Sequence, residues 1–165
     1  MKHLILFFFG GIFFLLTDVY AQNLALANVP SKTTYPPGIP EGAGVYGAFE
    51  GRTPCQEITR ELGIKVGPEC TKRKWLLVLT QDPATHIPGS YKIEGVGDWN
   101  GEGKWSIVKG SKENPNATVY QLDRPGKNSL FLLKGDDNVL FVLDHNKNFL
   151  VGGADHSYTL NRVRN

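Results

Sequence analysis

The sequence predicts an all-β protein: a small antiparallel β-barrel of about eight strands with one short helix near residues 56–62. Three observations carry that expectation. Apolar and polar residues alternate over short runs, as in Tyr91 and Ile93 against Lys92 and Glu94, or Trp105 and Ile107 against Lys104 and Ser106. That is the period of a strand buried on one face. Turn-forming clusters separate the runs at intervals of roughly ten residues, the spacing of a meandering sheet. A single stretch, Gln56 to Leu62, sets apolar residues four apart, Ile58 and Leu62, among good helix formers.

The elements follow in chain order. Lys2 precedes an apolar run from Leu4 to Leu16, and Val19-Tyr20-Ala21 ends in a small residue. The run is shorter than the roughly 20 residues that a spanning helix needs. It has the layout of a cleavable signal peptide over residues 1–21. The expected product is therefore exported, periplasmic or extracellular, and soluble after cleavage near Ala21, with no stable membrane insertion of the mature chain. Residues 22–43 hold Pro30, Pro36, Pro37 and Pro40 and few large apolar groups, so a flexible lead-in, or at most an edge wrap, is expected there. Residues 44–165 form the barrel domain.

Within that domain Tyr46 to Phe49 opens the first strand. Trp75, Leu77 and Leu79 alternate with Leu76 and Val78 in a long one. Tyr91–Ile93 and Trp105–Ile107 follow, then Thr118 to Leu122, Leu130 to Leu133, Val139 to Leu143, Phe149 to Val151 and Tyr158 to Val163. Gly135-Asp136-Asp137-Asn138 and Asp144-His145-Asn146-Lys147-Asn148 supply turn chemistry between apolar runs. A sandwich of two sheets fits the same pattern, but closure into a barrel removes the exposed edges that a sandwich leaves.

The formal net charge of +2 and the absence of a long basic stripe argue against nucleic acid as a partner. The Lys72-Arg73-Lys74 cluster reads as a solvated strand end. The two cysteines, Cys55 and Cys70, are expected to pair as a disulfide in an oxidising compartment, since their spacing suits neither a redox motif nor a zinc site.

No catalytic residues and no cofactor are assigned. The mature histidines His86, His145 and His156 sit on separate loops, and no Gly-x-Ser-x-Gly occurs. A metal site is not expected either. Copper(I) favours thioether and thiolate ligands, and Met1, the single methionine, falls in the signal. Trp75, Tyr91, Trp105 and Tyr120 mark the inward face of the strands and are the candidate ligand-binding residues of the interior. Such an interior is either a filled core or a site for one small apolar ligand, and the filled core is the simpler reading.

Several short motifs are similar to the N-terminal domain of the NlpE-type copper-resistance lipoproteins. They are Gly44-Val45-Tyr46-Gly47, Arg52-Thr53-Pro54-Cys55, Ile58-Thr59 with Leu62, Gly103-Lys104-Trp105, Tyr120-Gln121-Leu122 and Val139 to Asp144 leading into Asn146. The resemblance implies a lipocalin-like barrel in a bacterial envelope, linked to copper homeostasis and envelope-stress signalling. Two departures stand out: Ile58 replaces the second cysteine of the family's Cys-x-x-Cys, and Gln22 stands where the lipid-bearing cysteine belongs. The expected function is thus a non-enzymatic exported barrel that binds a protein partner or ligand. A carrier of a small hydrophobic ligand and a hydrolase are the alternatives.

Overall fold

A computed structural model of the chain describes residues 31–32, 38–96 and 99–164. The expected signal segment and residues 22–30 and 33–37 of the Pro-rich segment lie outside them.

Nine strands and one helix follow one another: β1 (Ser31–Lys32), β2 (Val45–Pro54), α1 (Cys55–Glu61), β3 (Lys72–Gln81), β4 (Pro88–Val96), β5 (Trp99–Lys109), β6 (Thr118–Leu122), β7 (Leu130–Lys134), β8 (Val139–Leu143) and β9 (Thr159–Arg164). Strands β2 to β9 form an antiparallel meander, and β9 pairs with both β8 and β2, so the eight close into a barrel. Closure leaves no open ladder between neighbours, the benefit expected of a barrel. The two-residue β1 runs parallel to β9, with Ser31 opposite Val163.

Side-chain parity fills the interior. From β3, Trp75, Leu77 and Leu79 point inward and are fully buried; Leu122, Leu132 and Leu140 meet them from β6, β7 and β8. Helix α1 packs Ile58 and Leu62 against the same core. Its end is set by Gly63 at φ +65°, which glycine adopts without a steric penalty. Gly63 N donates to Arg60 O and Ile64 N to Thr59 O, satisfying carbonyls that the last turn leaves free. The Cys55–Cys70 disulfide joins the first turn of α1 to the loop before β3.

One expectation changes. Phe149 to Val151 is not a strand: Phe149 makes one isolated bridge to Leu143, and Val151 is 81% exposed. Leu150 packs against the core and Phe149 against the Phe141 ring, but Val151 has no surface to bury against. In the Pro-rich segment, Ile39 is buried in a small cluster outside the barrel with Ala48, Leu76 and Val163, so the described residues around it wrap the sheet, the second of the two readings for this segment.

The β8–β9 connection begins with a turn organised by Asp144, whose carboxylate accepts hydrogen bonds from Asn146 N, Asn148 N and Asn148 Nδ2, each at 2.8 Å. Burial opposes ionisation, but these bonds and the nearby His145 outweigh it and hold the carboxyl below its usual range. A depressed folded pKa gives stability that is present above the unfolded value and lost as pH falls through the folded one. Asp144→Ala is therefore expected to cost about 1 kcal/mol at neutral pH, a size set by hydrogen bonds at a solvent-screened turn. Urea unfolding of variant and parent should converge as the pH falls below the ordinary carboxylate range.

Candidate functional site

The four interior candidates lie where their parity puts them, and their surroundings are solid. Trp75, Tyr91, Trp105 and Tyr120 are 0, 2, 3 and 1% exposed. A hollow large enough for water would expose part of its walls, and these side chains have almost no exposed surface. Their polar atoms are engaged within the chain. Trp75 Nε1 donates to Thr53 Oγ1 at 2.9 Å, Trp105 Nε1 to Thr80 O at 2.7 Å, and Tyr91 Oη to Asp123 O at 2.9 Å. The Tyr120 hydroxyl shares a hydrogen bond with that of Tyr46, and with Trp105 the two rings form a triangle of centroids 5.1–5.7 Å apart. Burial, with the Tyr46 hydrogen bond, raises the Tyr120 pKa, so the hydroxyl stays protonated. Saturated donors and close ring contacts are the marks of a core.

The outer face offers room instead. Leu76 and Val78 of β3 point away from the interior; Leu76 is buried in the cluster with Ile39, and Val78 stays half-buried at its margin. Beyond it opens a groove of about 1020 Å³ bounded by Pro40 on one side and by Arg124, Pro125 and Ser129 on the other. Its floor has three rungs set by the ladder. Thr80 hydrogen-bonds Ser90, which pairs with Lys104; Val78 pairs with Lys92, which pairs with Glu102; and Leu76 pairs with Glu94. One track is aliphatic and the neighbouring tracks are charged.

Lys92 Nζ lies 2.6 Å from Glu94 Oε1, and that contact, with Glu102 nearby, raises the ammonium's pKa. At the far end Arg124 is 7% exposed and donates to Leu62 O at 2.6 Å and Asn128 O at 3.2 Å, tying this rim to the end of α1. Burial lowers the pKa of Arg124 and raises that of Tyr91 beside it. Gly103 is required here, because a Cβ would fall 2.5 Å from Asp123 O and 3.0 Å from the Tyr91 ring. Of the four interior candidates, Tyr91 alone also borders the groove.

The histidines do not converge. His86 Nδ1 contacts Gln81 at 3.2 Å, and His145 Nδ1 pairs with Glu61 at 2.8 Å beside α1. Among the described residues no three His, Cys, Asp or Glu side chains stand close enough to share a metal ion. No helix among them is long and apolar enough to cross a membrane.

The sequence pattern pointed to the interior and passed over the groove. One signal was present: Trp75 to Leu79 is apolar at every position, the mark of a strand buried on both faces. The other walls come from separate strands and loops and carry no local pattern. The chain matches no family model, no curated protein and no solved structure.

Proposed function

We propose that this chain is an exported, non-enzymatic β-barrel that binds a polypeptide partner in the groove outside β3, β4 and β5. The observation that carries the reading is the half-buried Val78, next to buried Leu76, beside a track of charges of both signs. A segment whose groove-facing side chains include both aliphatic and charged groups satisfies both tracks. An acyl chain laid there would desolvate Lys92, Glu94 and Glu102 without replacing their hydrogen bonds, which is unfavourable. The signal-like residues 1–21 and the paired cysteines support export, and the motif resemblance to NlpE-type proteins supports an envelope location. That family's copper connection has no thiolate to rest on, because both cysteines are in the disulfide.

An apolar fluorescent dye tests whether the groove is a binding surface. Saturable one-to-one binding is expected, weakened by about tenfold in Val78→Glu, as a carboxylate placed on an apolar contact requires. Val78→Thr should show a smaller loss in the same direction, with melting temperature monitored for both. Ile107→Glu, at a position 49% exposed and outside the groove, should bind like the parent. Equal binding by the parent and both Val78 variants would refute the assignment.

A further inference from the structure

The groove is electrically polar along its length. Its first rung ends at Lys104, which has no ion-pair partner among the described residues. The Asp123 carboxylate at the same end accepts hydrogen bonds from Gln121 Nε2 at 2.9 Å and Ser129 Oγ at 3.4 Å, and Arg124 is held by Leu62 O and Asn128 O. This end therefore presents the Lys104 ammonium outside any ion pair. On the middle rung Lys92 pairs with Glu102, and it is the single ammonium between that carboxylate and Glu94 on the last rung, which leaves a surplus of negative charge toward that end. Between the two ends the neighbouring track is aliphatic, with Val78 and Leu76 on consecutive rungs. Ser90 and Glu94 are four positions apart on β4, about 13 Å at the rise of an extended strand.

We infer that the groove selects an extended segment bearing an acidic and a basic side chain four residues apart with an aliphatic side chain midway, the acid over Lys104 and the base over Glu94. In an extended chain, residues at i, i+2 and i+4 share one face, so one such segment meets all three rungs. A segment with two acids would place one against Glu94 and Glu102; one with two bases would place one against Lys104. Like charges brought face to face are unfavourable, and that penalty is the source of selectivity. No sheet edge is open beside the groove, so side chains and not backbone hydrogen bonds provide the recognition. The segment can therefore enter with either chain direction. This inference rests on the groove being the binding site.

Short labelled peptides with blocked termini test it by fluorescence anisotropy at low ionic strength. The pentad Glu-Ser-Val-Ser-Lys is compared with the same pentad carrying Glu at both ends, Lys at both ends, or Ser at both ends. The mixed peptide is expected to bind about fivefold tighter than each like-charged one, with the gap narrowing as salt is added. Lys104→Glu should reverse the order, so that the peptide with two lysines binds best, and this exposed substitution leaves the core intact. If the dye occupies the groove but the four peptides bind alike, or Lys104→Glu leaves their order unchanged, the charge rule is wrong while the groove assignment stands. If the dye fails as well, both fall. A zwitterionic amphiphile that binds where no peptide does would overturn the polypeptide class.

Discussion

Replacing Trp75 with alanine should lower the free energy of unfolding by about 4 kcal/mol, at the upper end of large-to-small changes in a core. Trp75 lies within β3 and is 0% exposed, packed among Leu77, Leu79 and their partners from the other strands. Truncation removes that apolar area from the interior and leaves a cavity that a closed barrel cannot easily collapse. It also strands the Thr53 hydroxyl, itself 0% exposed, which accepts the indole hydrogen bond at 2.9 Å. An orphaned buried acceptor costs roughly 1–3 kcal/mol on its own. Small domains have about 5–15 kcal/mol in total, so the variant should keep only a thin margin. Trp75→Phe fills much of the space and should lose about half as much. Urea titrations give the comparison directly, through a lower midpoint at an unchanged slope. A loss below about 1 kcal/mol for the alanine variant would mean that the interior is not the tight core described, since full cavities cost more.

Reduction of the Cys55–Cys70 disulfide should cost about 3 kcal/mol, the chain-entropy value for a 15-residue loop. The bond fastens the start of α1 to the segment leading into β3, and Cys55 is 1% exposed. Unfolding of the oxidised and reduced protein, with the reduced form kept alkylation-free until it is denatured, isolates the cross-link from any change of side chain. Intact mass after alkylation should show no modified thiol before reduction and two after it. Two thiols already free in the native protein would dispose of the pairing, and a stability difference under about 0.5 kcal/mol would show that the loop is held by other contacts.

The strands and the helix were readable because each buries one face, which leaves a period in the sequence. Tyr91 and Ile93 face the core, Lys92 and Glu94 do not, and the ladder agrees. The cysteines were readable because the chain has just two, at a spacing that suits neither a redox motif nor a zinc site. Phe149 to Val151 misled because three consecutive apolar residues resemble a strand, although the chain provides nothing for Val151 to cover. Ile39 was hidden for the opposite reason: a single apolar residue among prolines makes no period, and only the outer surface of Ala48, Leu76 and Val163 gives it a place. The groove depends on which strands become neighbours and on which loops stop short of it. Lys104 and Glu94 are ten positions apart in the chain and share a site only after β4 and β5 have paired.

The seam of the barrel has a consequence for how the chain is made. Ala48, Phe49 and Glu50 of β2 pair with Val163, Arg162 and Asn161 of β9, so the first strand of the meander waits for the last. While the chain emerges from the ribosome, β2 can zip to β3 early, but its other edge stays open until more than a hundred further residues have appeared. Contacts between such distant segments are slow to form. Until the seam shuts, the nascent chain is an incomplete sheet with adhesive edges, and its vulnerability to clumping is greatest in that interval. Production rate and chaperone supply, as well as final stability, then decide how much protein is recovered.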